Sequence, residues 1–421
     1  MPRPRVLSRF RHVRCWVPAD LTEVTRVGNE EDPAAGGVTQ DDIDAIWTAT
    51  KRLFRRGLHP LVTVCVRRNG HLLMNRSLGW SHGAGPDSPP TAPRTIATPE
   101  TPICMFSASK AITAMVVHLL DEDGVLHVDD RVADYIPEFG CNGKDRVTLR
   151  HVLTHRAGIP TTGGRGDLAL LTDWDAIVAL LCEAEPRSRP GQTLSYHALT
   201  GGFILGEVVR RVTGKDVRTV LAERILAPLG VARLNYGVPP ADVPLVAENH
   251  FTGIPVFPPF TGVARFVLGM SFEDAAEISN EPTFLTSIVP SGNVVGTAEE
   301  MSRFLQMLLD GGVWGGRRIF EARTVHRATQ QSSFRELDLS LLLPLRYGIG
   351  FMLGGRHVSP FGPNTQAAFG HLGLMNIHCW ADRWRNTSVA VVTTGKPLVS
   401  DHLPALHGLL STITDRMPRV A

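Results

Sequence analysis

Ser107 and Lys110 stand three residues apart in Phe106-Ser107-Ala108-Ser109-Lys110-Ala111, a spacing that puts a hydroxyl and an amine on the same face of a helix. A serine hydroxyl is a poor nucleophile at neutral pH, and a free lysine amine is protonated there. Burial of the amine lowers its pKa and lets it accept the serine proton. The chemistry within reach of such a pair is formation of an acyl-enzyme. Alone the pair carries little weight, because lysines at only 51, 110, 144, 215 and 396 still give roughly 0.25 such pairs by composition.

A leaving group needs a second proton carrier, and a tetrahedral oxygen needs hydrogen-bond donors. Tyr196 lies in a turn, Pro190-Gly191-Gln192-Thr193-Leu194-Ser195-Tyr196-His197, just ahead of an apolar helical run over 201–212. His371 lies in Phe369-Gly370-His371-Leu372-Gly373-Leu374, where two glycines in a strand mark close approach of another backbone or a ligand. Taken singly, Tyr196 reads more readily as a half-buried aromatic and His371 as an edge-strand histidine.

The elements that must position these residues follow from periodicity. Helical spacing predicts helices over 41–56 and over the stretch that carries Lys110 as far as Gly124. Two apolar runs, 61–66 and 72–74, flank Asn69-Gly70, a hairpin signal. Residues 126–290 read as helices and loops. Thr297-Ala298-Glu299-Glu300 reads as a capping box opening another helix, and strand signals return at 348–353, 367–369, 375–380 and 388–394 before a last helix over 402–414. The expected fold is therefore α+β: one antiparallel sheet built from both ends of the chain, flanked by helices, with a largely helical insertion. The divisions expected are an N-terminal extension over 1–40, a discontinuous sheet domain over 41–125 and 290–421, and a helical domain over 126–289 with a long substrate-side loop.

The order of Ser-x-x-Lys, tyrosine and His-x-Gly resembles the serine β-lactamase and DD-peptidase superfamily, in particular its class C β-lactamase-like branch with the family VIII carboxylesterases. Leu126 to Val132, Tyr135-Ile136-Pro137, Leu153-Thr154-His155-Arg156-Ala157-Gly158-Ile159-Pro160, Pro228-Leu229-Gly230 and Ser291-Gly292-Asn293 also look like that branch. The resemblance implies Ser107 as the acylated nucleophile, Lys110 as its proton partner and Tyr196 as the acid/base for the leaving group and water. It implies an oxyanion hole from the N–H groups of Ser107 and Leu374, with His371 and Gly373 on the substrate strand, and it needs no metal or cofactor. Lactamases of the branch carry Tyr-x-Asn and Lys-Thr-Gly, whereas this chain has Tyr196-His197-Ala198 and His371-Leu372-Gly373. Both changes remove groups suited to an anionic amide, and they match the esterases.

The remaining signals narrow the field. A hydrophobic fraction of 43%, a charged fraction of 20% and a net charge of +2 describe a globular chain without the basic surface a nucleic acid requires. No apolar run reaches the roughly 18 residues of a membrane span. The basic residues Arg3, Arg5, Arg9, Arg11 and Arg14 lack the apolar stretch of a secretory signal, so a cytoplasmic location is expected. Six dispersed cysteines are expected as reduced thiols. His151 and His155 have an i, i+4 spacing but no Glu between them and no third ligand, and are read as structural. Phe251, Ile254, Phe257, Phe260, Phe266, Leu268, Met270 and Phe272, broken by prolines, are expected to form a loop that could line an acyl pocket. The expected activity is that of a serine carboxylesterase acting on a small-molecule ester of short to medium acyl length. An acyltransferase, a β-lactamase or DD-peptidase, and a non-catalytic binding protein on the same fold stand as alternatives.

Overall fold

The computed structural model describes residues 12–89, 91–164, 166–334 and 336–420; Arg3, Arg5, Arg9 and Arg11 of the basic N-terminus lie outside them. A nine-stranded antiparallel sheet runs in the order Thr25–Val27, His71–His82, Leu61–Arg68, Thr387–Thr393, Ile377–Asp382, Ala368–Gly373, Met352–Leu353 and Arg346–Tyr347, with Thr95–Ile96 added on His71–His82. The two ends of the chain meet where Leu61–Arg68 pairs with Thr387–Thr393. Asn69 and Gly70 form the first hairpin with φ of 51° and 84°, the left-handed pair that a two-residue turn between twisted strands requires.

All eight residues of Leu61–Arg68 are buried, because helices cover both faces of the sheet. Cys65 and Arg67 reach Ser302 on the helix Ala298–Leu309, so the alternate residues Val64 and Val66 point the other way, toward the layer formed by the helices Gln40–Phe54 and Leu403–Arg416. Ala298–Leu309 opens with the expected capping box, in which Thr297 and Glu300 exchange side-chain and backbone bonds.

Residues 126–289 carry short and medium helices, among them Trp174–Glu183, Thr200–Thr213 and Phe260–Leu268. A three-stranded sheet, Ile103–Cys104, Val294–Gly296 and Asn235–Tyr236, ties this part to the nucleophile segment. The proline-broken segment expected as a loop is partly helical, with Phe260–Leu268 and Phe272–Ile278 separated by Gly269 at φ 73°. Ala264 and Val267 are its buried positions, and their i, i+3 spacing after Pro259 is a helix signal that the surrounding prolines and aromatics obscured.

Candidate active site

The strand Ile103–Cys104 delivers the chain to a single 3₁₀ turn, Phe106–Ala108, and the helix Ser109–Glu122 follows. Ser107 thus sits one turn upstream of the helix that carries Lys110, not within it. Ser109 fixes this turn: its hydroxyl donates to the Phe106 carbonyl at 2.5 Å and accepts from the Val294 N–H at 3.0 Å. Ser107, half-buried, faces the cleft.

Lys110 is 8% exposed. Its Nζ lies 3.0 Å from Ser107 Oγ, 2.6 Å from the Ala198 carbonyl and 3.0 Å from the Ser291 carbonyl. Desolvation holds its pKa well below the ordinary lysine value. A neutral amine has two N–H bonds and one lone pair. The two carbonyls can only accept, so in the neutral form they take both N–H bonds and leave the lone pair to the Ser107 hydroxyl. The sequence places Ser291 in a family-like stretch without a role; its carbonyl is one of the two that hold the Lys110 amine, and its hydroxyl bonds the Leu199 carbonyl at 3.1 Å.

Tyr196 is buried beside Ser107, and burial pushes the phenol well above its ordinary pKa, toward the neutral form. Lys110 Nζ stands 4.9 Å from the centre of its ring. Two residues that sequence reasoning did not connect to it set its position. Asp338 accepts the Tyr196 N–H at 3.1 Å, the Ser340 and Leu341 N–H groups at 2.9 and 3.1 Å, and the Tyr347 hydroxyl at 2.9 Å. His155, left-handed at φ 59°, brackets Tyr196 by accepting the Ser195 N–H on its carbonyl at 3.0 Å and the His197 N–H on Nδ1 at 3.2 Å. His151 instead accepts the Thr148 N–H at 3.2 Å, so both histidines of the i, i+4 pair serve the backbone.

His371 is 1% exposed and pairs with Cys379. The next strand, Met352–Leu353, pairs only with Phe369 and Gly370, so at His371 the ladder is open on one side. Its Nδ1 lies 2.7 Å from the Leu372 carbonyl and must donate there. Burial, and after it the neighbouring Lys110, push its pKa down to about 3. The ring is therefore neutral, with its lone pair on Nε2. Both glycines make the close approaches expected of them, since a Cβ would fall 2.0 Å from the Cys379 carbonyl at Gly370 and 2.5 Å from the Met105 carbonyl at Gly373. The second contact sets the end of this strand against the nucleophile turn. Leu374 follows it and, with Ser107, lines an apolar cavity walled by Leu171, Leu199, Leu268, Met270, Ile278 and Phe284. Ala198 lines the same cavity, and only two members of the proline-broken segment, Leu268 and Met270, reach it.

The Beta-lactamase family pattern matches residues 50–411. The chain is 33% identical over 347 residues to the esterase/beta-lactamase LipL of Mycobacterium tuberculosis, covering 77% of this chain and 75% of that protein. Among solved structures it resembles a penicillin-binding protein homologue from Caulobacter crescentus, with a TM-score of 0.76, 27% identity and coverage of 90% and 98% of the two chains. It also resembles a family VIII carboxylesterase, with a TM-score of 0.75, 26% identity and coverage of 91% and 99%. With a serine–lysine pair at the start of a helix, a tyrosine opposite and a strand ending at the nucleophile turn, the chain belongs to the Beta-lactamase family.

Proposed function

We propose that this chain is a β-lactamase-like serine esterase that hydrolyses short- to medium-chain carboxylic esters through an acyl–Ser107 intermediate. The observation that carries this reading is the buried Lys110 Nζ, held by two carbonyls at 3.0 Å from Ser107 Oγ, where a neutral amine turns its lone pair to the serine hydroxyl. Lys110 takes the serine proton as Oγ bonds to the ester carbonyl carbon. The negative oxygen is held by the N–H groups of Ser107 and Leu374. As the tetrahedral centre collapses, the ester C–O bond breaks, and the departing alkoxide takes its proton from the Tyr196 hydroxyl, to which Lys110 passes the proton it took from Ser107. Water then repeats the sequence in reverse, with Tyr196 and Lys110 returning the proton to Ser107.

Esters are favoured over β-lactams by two features of the site. Neutral His371 supplies no fixed positive charge for a carboxylate, and Ala198 offers a methyl where an amide would hold the substrate amide. The apolar cavity beside Ser107 suits an aliphatic acyl group. The name of the carboxylesterase neighbour agrees with this preference, while LipL is named for both activities. The deciding experiment is a chain-length series of chromogenic esters beside a cephalosporin, on wild type and Ser107→Ala. Ester turnover lost in Ser107→Ala, with slow cephalosporin turnover, is the expected result. Unchanged ester hydrolysis in Ser107→Ala overturns the reading, and absence of a fluorophosphonate adduct on Ser107 would point to a non-catalytic binder. Added alcohol acceptors, with product analysis, separate hydrolysis from acyl transfer.

A further inference from the structure

The two N–H groups assigned to the oxyanion hole sit on backbone that their own sequences do not favour. Phe106, just before Ser107, has φ 46°, and Met375 and Asn376, just after Leu374, have φ 38° and 73°. Left-handed conformations at residues such as Phe106 and Met375, unlike Asn376, persist only where the surroundings over-determine them. One stretch of chain, residues 393–402 running on from the end of the last strand of the sheet, meets both turns.

Asn376 makes three bonds to it. Its Nδ2 donates to the Pro397 carbonyl at 3.0 Å, its Oδ1 meets His402 Nε2 at 2.9 Å, and its own carbonyl accepts from Thr393 Oγ1 at 3.0 Å. The amide orientation is forced, because a proline carbonyl can only accept and so must face the NH₂. His402 must then donate from Nε2, and its Nδ1 is buried without a partner. On the same stretch Lys396 Nζ donates to the Thr393 carbonyl at 2.5 Å and stands 4.7 Å from the centre of the Phe106 ring. His402 is held in turn edge-on to His59, at 5.8 Å between ring centres, and His59 Nδ1 lies 3.1 Å from the Gly395 carbonyl. The cluster is buried behind the site and touches none of the reacting groups.

We propose that Asn376, oriented by the His402 imidazole, is a positioning residue for ester hydrolysis: it sets the left-handed turn that aims the Leu374 N–H at the developing oxyanion. The proposal rests on the serine esterase reading above. Its consequence is specific to the tetrahedral state, since donors aimed at that oxygen act more on the transition state than on the bound ester.

The test compares Asn376→Gly, which keeps a positive φ but loses the amide, with His402→Leu and His402→Gln, whose amide nitrogen can replace the Nε2 donor. For each, kcat and KM are measured on a chromogenic ester, with the inhibition constant of an alkyl boronic acid that forms a tetrahedral adduct on Ser107, and Tm. Asn376→Gly and His402→Leu are expected to lower kcat about 10- to 100-fold, weaken the boronic acid to a similar extent and leave KM within about threefold, while His402→Gln recovers most of the loss. A purely structural role would lower Tm without separating kcat from KM. If folded Asn376→Gly keeps kcat and boronate affinity within about threefold of wild type, the inference is wrong. It is equally wrong if His402→Gln is as impaired as His402→Leu, a comparison that decides the matter should Asn376→Gly not fold. A wild type that neither cleaves esters nor binds the boronic acid would overturn the esterase reading itself, whereas a reactive wild type with unaffected variants overturns only the positioning role.

Discussion

Lys110 and Tyr196 are driven in opposite directions by the same burial: the amine is pushed toward its neutral form and the phenol away from ionisation. In the proposed reaction the pair divides the labour, with the amine accepting a proton and the phenol donating one. Activity is expected to fall with acid as one group, Lys110, becomes protonated. That limb does not belong to His371, which stays neutral down to about pH 3. A kcat/KM profile with a one-proton acid limb that is unmoved in His371→Gln is the predicted outcome, and a limb that shifts with His371 would refute the assignment. Lys110→Arg leaves a permanent cation that cannot accept the serine proton; fluorophosphonate labelling of Ser107 and ester turnover should both drop about 10²-fold or more. Tyr196→Phe should lose a comparable factor in kcat while Tm stays near that of wild type, because only a hydroxyl is removed from a ring that keeps its packing.

At the scale of elements, the tyrosine owes its place to two segments that never touch substrate. Asp338 receives three backbone N–H groups and one phenol, so Asp338→Ala strands several buried donors at once. We expect a loss of ~3 kcal/mol in denaturant unfolding and a kcat reduced out of proportion to KM as Tyr196 is freed. The helices Phe260–Leu268 and Phe272–Ile278 act on the other side of the cleft, where Met270 in the connection between them walls the acyl cavity. Met270→Ala should move the preferred ester toward longer chains and Met270→Trp toward shorter ones; an unchanged chain-length profile in both would remove the cavity from acyl recognition. These helices also mark where reading by sequence was poorest. Prolines and aromatics dominate the stretch, and its apolar spacing covers barely two turns. The Asn69-Gly70 hairpin and the Thr297 capping box were legible because each is complete within four residues.

At the scale of the molecule, the site exists only where the sheet meets the nucleophile turn, and Gly373 is the point of contact. A Cβ there would fall 2.5 Å from the Met105 carbonyl and 2.8 Å from Ile377 Cβ. Neither neighbour is the free end of a flexible chain, so Gly373→Ala must separate the strand from the turn. The expected result is a loss of ester turnover of about 10²-fold or more with a modest fall in Tm, read from kinetics and thermal unfolding on the same preparation; full activity would show that the contact does not set the oxyanion geometry.

The sequence by itself determined what depends on short spacing: the Ser107–Lys110 pair, the hairpin, the caps and the strand glycines at 370 and 373. It also carried, through the order of its motifs, the family, and through its apolar runs the strands that make one antiparallel sheet. Only the tertiary structure decided that the Lys110 amine lies between two carbonyls at 3.0 Å from Ser107 Oγ, since one of those carbonyls lies 181 residues away. The same holds for Asp338, 142 residues from the Tyr196 it anchors, and for His155, 42 residues from His197. No periodicity links such residues. Their roles arise when burial removes water and leaves each polar group to find its partner within the fold.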